Sequence, residues 1–184
     1  IKVFGIESPF TESEFSSKHE NELTDRLYEF VYKRYEEKCA SSAAEAFKVI
    51  KNVYEDPNSS FERIVVPFTD GIKAVNVVTN LEKAYQTEGM TLINDFEKNI
   101  TLSIVDEAWK KHLRKMDELK QSVQLAVHEQ KDPLLIYKFE AFELFKKTMQ
   151  SINKDVTAFL MKADLPQQQE QSESTNTIRT NIQF

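Results

Sequence analysis

Between Asp106 and Phe145 the sequence reads DEAWKKHLRKMDELKQSVQLAVHEQKDPLLIYKFEAFELF, two helical patterns parted only by Gln130-Lys131-Asp132-Pro133. On the first, Val105, Trp109, His112, Met116, Leu119, Val123 and Ala126 recur at alternating steps of four and three. On the second, Phe142, Phe145, Met149, Ile152, Val156 and Phe159 follow the same rule. Such a seam turns one face of each helix toward a partner helix, and so short a break admits only antiparallel neighbours. Asp132 is a suitable N-cap and Pro133 suits a first helical turn. A long helical hairpin is therefore the element around which the rest of the chain must fold. Arms of this length reach roughly 40 Å, so the polar tip His128-Glu129-Gln130-Lys131 is expected to project into solvent. Leu134, Leu135, Ile136, Tyr137 and Phe139 make the start of the second arm apolar nearly all round, which implies burial on more than one side or a partner.

The remaining sequence fits a mainly α class. Among 184 residues only Gly5, Gly71 and Gly89 are glycine, too few for a loop-rich or all-β fold or for most phosphate-binding loops. A formal net charge of −6 disfavours nucleic acid as a partner. Cys39 is the single cysteine, so neither an intrachain disulfide nor a Cys-based zinc site can be assembled. No apolar run is long enough to span a membrane. Ile1–Phe10 lacks a signal peptide's charged start and apolar core, and without an initiator Met it reads as the start of an excised piece.

Periodicity divides the chain into elements. Residues 1–18 read as an irregular lead-in. Helices are predicted over Asn21–Glu37 and Ser42–Tyr54, the second capped by Ser41 or Ser42 and stopped at Asp56-Pro57. Phe61–Phe68 and Ile72–Val78 are rich in β-branched and aromatic residues, and Thr69-Asp70-Gly71 between them signals a hairpin. Pro67 cannot donate to a ladder and indicates an edge or a bulge. Helix resumes near Asn80 under a Thr79 or Asn80 cap, is interrupted or bent near Gly89, and continues from about Asp95 into the first arm. After Pro133 the second arm runs to about Lys162. The expected organisation is a helical wing-like region over 1–98 with a β-hairpin at about 61–78, a helical hairpin over 99–162, and a disordered polar tail over 163–184, where QQQEQSESTNTIRTNIQF holds almost no core residues.

Nothing in the sequence assembles a catalytic centre. His19, His112 and His128 share no metal-ligand spacing, and no H-E-x-x-H, G-x-S-x-G or G-x-x-x-x-G-K-[ST] pattern occurs. Lys110, Lys111, Arg114 and Lys115 could approach anionic lipid, but Asp106, Glu107 and Glu118 stand at spacings that make an ordinary salt-bridged face. A helical hairpin without chemistry acts by contact, either within a larger machine or as a free-standing interaction or scaffolding module.

The hairpin block resembles the preprotein translocase ATPase SecA in the C-terminal part of its helical scaffold. Ile104-Val105-Asp106, Trp109-Lys110, His112-Leu113, Met116-Asp117, Leu119, Gln130-Lys131-Asp132-Pro133 and Tyr137-Lys138 carry the match, and Glu140, Phe142 and Phe145 extend it. The W-K-x-H-L-x-x-M-D spacing followed by Q-K-D-P and Y-K-x-E-x-F is highly specific. The resemblance covers roughly Asn99–Leu160; residues 1–98 look like the family's helical wing, and the β-hairpin looks like an elaboration of Bacteroidetes-type members. It implies that the hairpin is the family's two-helix finger, whose tip meets the SecY channel and the preprotein or its signal sequence. Here the tip is His128, Glu129, Gln130 and Lys131; His128 stands where the family often has Tyr, a departure that keeps the position bulky but does not carry over a tyrosine-specific contact. The resemblance also implies that Trp109, His112, Leu113, Met116, Tyr137 and Phe142 contribute to scaffold and interdomain contacts. ATP and magnesium belong to motor domains of the parent, so neither cofactor nor nucleotide site is expected in this chain, and the fragment is expected not to be an enzyme. The implied location is the cytoplasm, peripheral to the inner membrane.

Overall fold

A computed structural model describes residues 3–57, 60–125 and 132–166, and statements of absence below refer to those residues. Seven elements follow in chain order: α1 (Glu12–Ser17), α2 (Glu20–Tyr54), β1 (Arg63–Thr69), β2 (Ala74–Asn80), α3 (Leu81–Gln86), α4 (Met90–Leu125) and α5 (Pro133–Lys162). The mainly helical class, the small antiparallel sheet and the long helical hairpin are as the patterning requires. The chain divides into two compact units, one reaching Asn99 and resuming at Phe159, the other Ile100–Ala158.

The lead-in is not irregular throughout. Thr11 accepts from the Glu14 amide while the Glu14 carboxylate accepts from the Thr11 amide, a reciprocal capping box that starts α1. The Thr11 amide, with help from Arg26 and the Thr11 hydroxyl, holds the Glu14 carboxyl down at about 2. The T-E-S-E signal was present in the sequence.

The two helices expected between Asn21 and Tyr54 are one. No Gly or Pro lies between Glu37 and Ser42, and Ser42, the expected cap, is buried inside the helix, where its hydroxyl donates to Asp164 at 2.9 Å. Ala43, Ala46 and Ile50 continue the buried stripe of α2. The sheet pairs β1 with β2 antiparallel, Ile64 opposite Thr79 and Phe68 opposite Val75. Its turn is longer than an Asp-Gly hairpin: Asp70–Lys73 form the loop, Asp70 accepting from the Ile72 and Lys73 amides, with Gly71 at φ +87°. Ile72, expected in the second strand, is therefore 90% exposed on the loop.

Phe68 stacks on Phe96 of α4 with centroids 4.3 Å apart, and Phe96 meets Phe159 at 6.2 Å. Leu92, Ile93, Val77, Leu81 and Ala84 complete this core. Asn80 caps α3, accepting from the Lys83 amide at 2.9 Å. The helix then stops at Gly89, which takes φ +90° and donates to Ala84 at 2.8 Å. A Cβ on Gly89 would lie 2.5 Å from the Ala43 carbonyl oxygen, so glycine also permits the close passage of α2. Helix resumes at Met90, not Asp95.

Candidate functional site

The second arm starts as its sequence requires. Asp132 accepts from the Leu134 amide at 2.9 Å and the Leu135 amide at 3.4 Å, and Pro133 opens α5. The helices meet at His112, 6% exposed, whose Nδ1 lies 3.2 Å from the Thr148 hydroxyl. That hydroxyl donates to the Leu144 carbonyl at 2.8 Å. With its single hydrogen so committed, it accepts from His112, which fixes the Nδ1–H tautomer.

The seam is turned from the expected one. Ile104, Ala108, His112, Met116, Leu119 and Val123 form the covered row of α4, and Tyr137, Ala141, Leu144, Thr148 and Ile152 that of α5. Leu119, Val123 and Ile152 are buried as the heptad reading requires. Val105, Trp109, Phe142, Phe145 and Met149, assigned to the seam from periodicity, are instead exposed. The covered positions Ala108, Ala141 and Thr148 are small, and the bulky residues beside them lie outside the seam.

Those neighbours form two rows, Leu102, Val105, Trp109 and Leu113 along α4, and Leu135, Phe139, Phe142, Phe145 and Met149 along α5, all substantially exposed. Val105, Trp109 and Leu113 on α4 and Phe142, Phe145 and Met149 on α5 each lie about a quarter turn from the seam residue before them at roughly 3.6 residues per turn, and in antiparallel helices these offsets bring them to the same side, whereas Leu135 and Phe139 stand nearly opposite the seam. Ring contacts agree: the centroid of His112 lies 5.1 Å from that of Trp109 and 6.0 Å from that of Phe145. The rows are staggered along the hairpin and overlap beside His112, where Trp109 and Leu113 of α4 neighbour Phe145 and Met149 of α5.

Of the residues expected to contribute interdomain contacts, Trp109, Leu113 and Phe142 stand on this face at 43%, 49% and 63% exposure. Met116 and Tyr137 are half-buried and His112 is buried beneath the face. Phe145 and Met149 share the face although the resemblance did not assign them this role; each directly follows a covered residue, Leu144 and Thr148. The tip His128, Glu129, Gln130 and Lys131 lies outside the described residues. The basic run is a salt-bridged surface in part: Lys110 pairs with Asp106 and Lys111 with Glu107, both at 2.6 Å.

The remaining polar groups build structure. Tyr35 donates to Glu97 at 2.9 Å, and burial pushes the Cys39 thiol up, which disfavours a reactive thiolate. Among the described residues no group of three or more His, Cys, Asp or Glu is placed to hold a metal, and no helix is long and apolar enough to cross a membrane.

Comparison with known proteins agrees with this architecture. The SecA wing and scaffold domain matches residues 4–164. The protein translocase subunit SecA of Flavobacterium psychrophilum is 62% identical over 179 residues, 97% of this chain and 16% of that protein. The subunit of Christiangramia forsetii is 62% identical over 90% of this chain and 15% of its own length, and that of Parabacteroides distasonis 44% identical over 94% and 15%. The chain thus spans about one-sixth of these relatives' length. No solved structure matches it. By fold, by the W-K-x-H-L-x-x-M-D and Q-K-D-P block, and by these matches, the chain belongs to the SecA wing and scaffold family.

Proposed function

We propose that this chain is the wing and scaffold part of a protein-translocation motor, and that the apolar face of its hairpin docks another part of the same longer protein. The observation that carries this reading is the pair of exposed rows, Leu102 to Leu113 and Leu135 to Met149. An exposed apolar patch marks an interaction site, and its centre, where Trp109 and Leu113 lie beside Phe145 and Met149, is placed to take apolar side chains of a partner helix. In this reading ATP and magnesium act in motor domains outside the chain. The hairpin transmits their motion to a preprotein through the tip His128–Lys131 at the SecY channel, on the cytoplasmic face of the inner membrane.

A photoreactive residue placed at Phe142 in the full-length protein tests the docking. An intramolecular crosslink to another helix of that polypeptide is expected. Its absence overturns the docking, and a crosslink between two copies supports a free-standing scaffolding module instead. The same residue at His128 is expected to label channel or preprotein, and labelling of neither overturns the tip contact. Saturable ATP turnover by the purified chain would refute the placement of the nucleotide site elsewhere.

A further inference from the structure

Within the first unit, the residues that close α5 lie at the edge of β1 that β2 leaves open. Thr69 donates its amide to the Asp164 carbonyl at 2.9 Å and Asp164 donates back to Thr69 at 2.9 Å, one antiparallel bridge. Around it the Lys38 ammonium donates to the Leu160 carbonyl at 2.6 Å and to the Ala163 carbonyl, complementing the negative end of the helix. The Ser42 hydroxyl holds the Asp164 side chain. A third strand is started here, and among the described residues it comprises one residue pair.

The register explains the stop. In an antiparallel ladder the residues facing one edge alternate, so the next position on the edge used by Thr69 is Pro67. Continued in that register, the ladder would set Pro166, two residues beyond Asp164, against it. Every other position of such a ladder offers two amides for two carbonyls, whereas a proline pair offers none. Beyond them the edge resumes with Val65 and Arg63, and the chain continues Gln167-Gln168-Gln169-Glu170-Gln171, a composition prone to extend strands. An open edge beside such a sequence is a template for added pairing.

We infer that Pro67 and Pro166 form an in-register stop, two prolines facing each other across the ladder, that limits the third strand to the Thr69–Asp164 pair. Pro67 sits within β1 at no cost to the β1–β2 ladder, because its nitrogen faces away from β2. The stop depends on both members, since either one replaced by valine restores a single donor and both together restore the full pair.

Amide hydrogen exchange of the 184-residue chain by NMR tests this. In Pro67→Val/Pro166→Val, protected amides are expected at positions 67 and 166, with exchange at Thr69 and Asp164 slowed about tenfold or more. Pro166→Val alone lies outside the sheet and should protect only its own amide, to a smaller degree; it carries the test should the double variant not fold. Unprotected amides at the new valines and unchanged exchange at Thr69 and Asp164, in a variant whose Val77 amide keeps its protection, would overturn the stop. Sedimentation gives a second readout: the double variant is expected to self-associate more than the parent, and equal behaviour counts against any role of the stop in guarding the edge.

Discussion

The first unit buries a cluster of aromatic side chains, and the helical hairpin buries none. In the first unit Phe68, Phe96 and Phe159 lie inside and Leu92, Val77 and Ile50 close around them. In the hairpin the seam is made of alanines, a threonine, a buried histidine and a few aliphatics, while Trp109, Phe139, Phe142 and Phe145 stand in solvent. A fold that needed its aromatics for its own stability would not place them so. The first unit also exposes Phe15, Tyr28, Phe30, Tyr32 and Phe61, so what sets the hairpin apart is that it has no buried aromatic cluster of its own, as the proposed docking requires.

The largest expected effect tests the buried cluster of the first unit. Phe96 touches both Phe68 and Phe159, so Phe96→Ala should cost about 3–5 kcal/mol in chemical denaturation, the lost transfer energy plus a cavity between two rings. A loss below about 1 kcal/mol would erase the distinction between the two regions. Next comes Gly89→Ala. A side chain there must adopt φ +90° and meets the Ala43 carbonyl oxygen at 2.5 Å, which together should cost roughly 2–3 kcal/mol. An alanine tolerated without loss of melting temperature would mean that α2 and the α3–α4 join are not packed as tightly as the core implies.

Those two sites also divide what was legible in the sequence from what was not. Asp132-Pro133 and Asn80 were readable as helix starts because a cap is a local event, decided by one side chain and the next three amides. Gly89 was readable as an interruption, but not as the point where α2 passes, since Ala43 is distant in sequence. Ser42 misled for a related reason: serine is a good cap, and only the folded chain brings Asp164 to its hydroxyl. The seam failed differently. Trp109 and Ala108 both satisfy helical periodicity and hydrophobicity favours the tryptophan, yet the folded hairpin covers the alanine. Family resemblance pointed to Trp109, Leu113 and Phe142, yet their outward placement followed only from the geometry around His112.

A smaller effect of opposite sign sharpens the picture of the first unit. The Thr79 hydroxyl is buried on the sheet's inner face without a hydrogen-bond partner among the described residues. Thr79→Val keeps the shape, favours the strand and removes the unsatisfied group, so it should raise stability by about 1 kcal/mol. A destabilised variant would show that the hydroxyl is satisfied in solution, by water for instance, and that this core is wetter than its packing suggests.

The smallest expected effect bears on the hairpin face and decides the comparison. Phe142 is 63% exposed, so Phe142→Ser in this chain alone removes little buried area and should change stability by no more than about 0.5 kcal/mol. In the longer protein the same substitution strips an apolar contact from a covered face, and the expected cost rises to about 2 kcal/mol or more. The quantity to measure is the difference between the two contexts. If serine is harmless in both, Phe142 has no partner in the longer protein and the face docks elsewhere or nothing. If serine is costly already in the isolated chain, Phe142 belongs to the hairpin's own core, and the two regions of the molecule do not differ in the way their aromatics indicate.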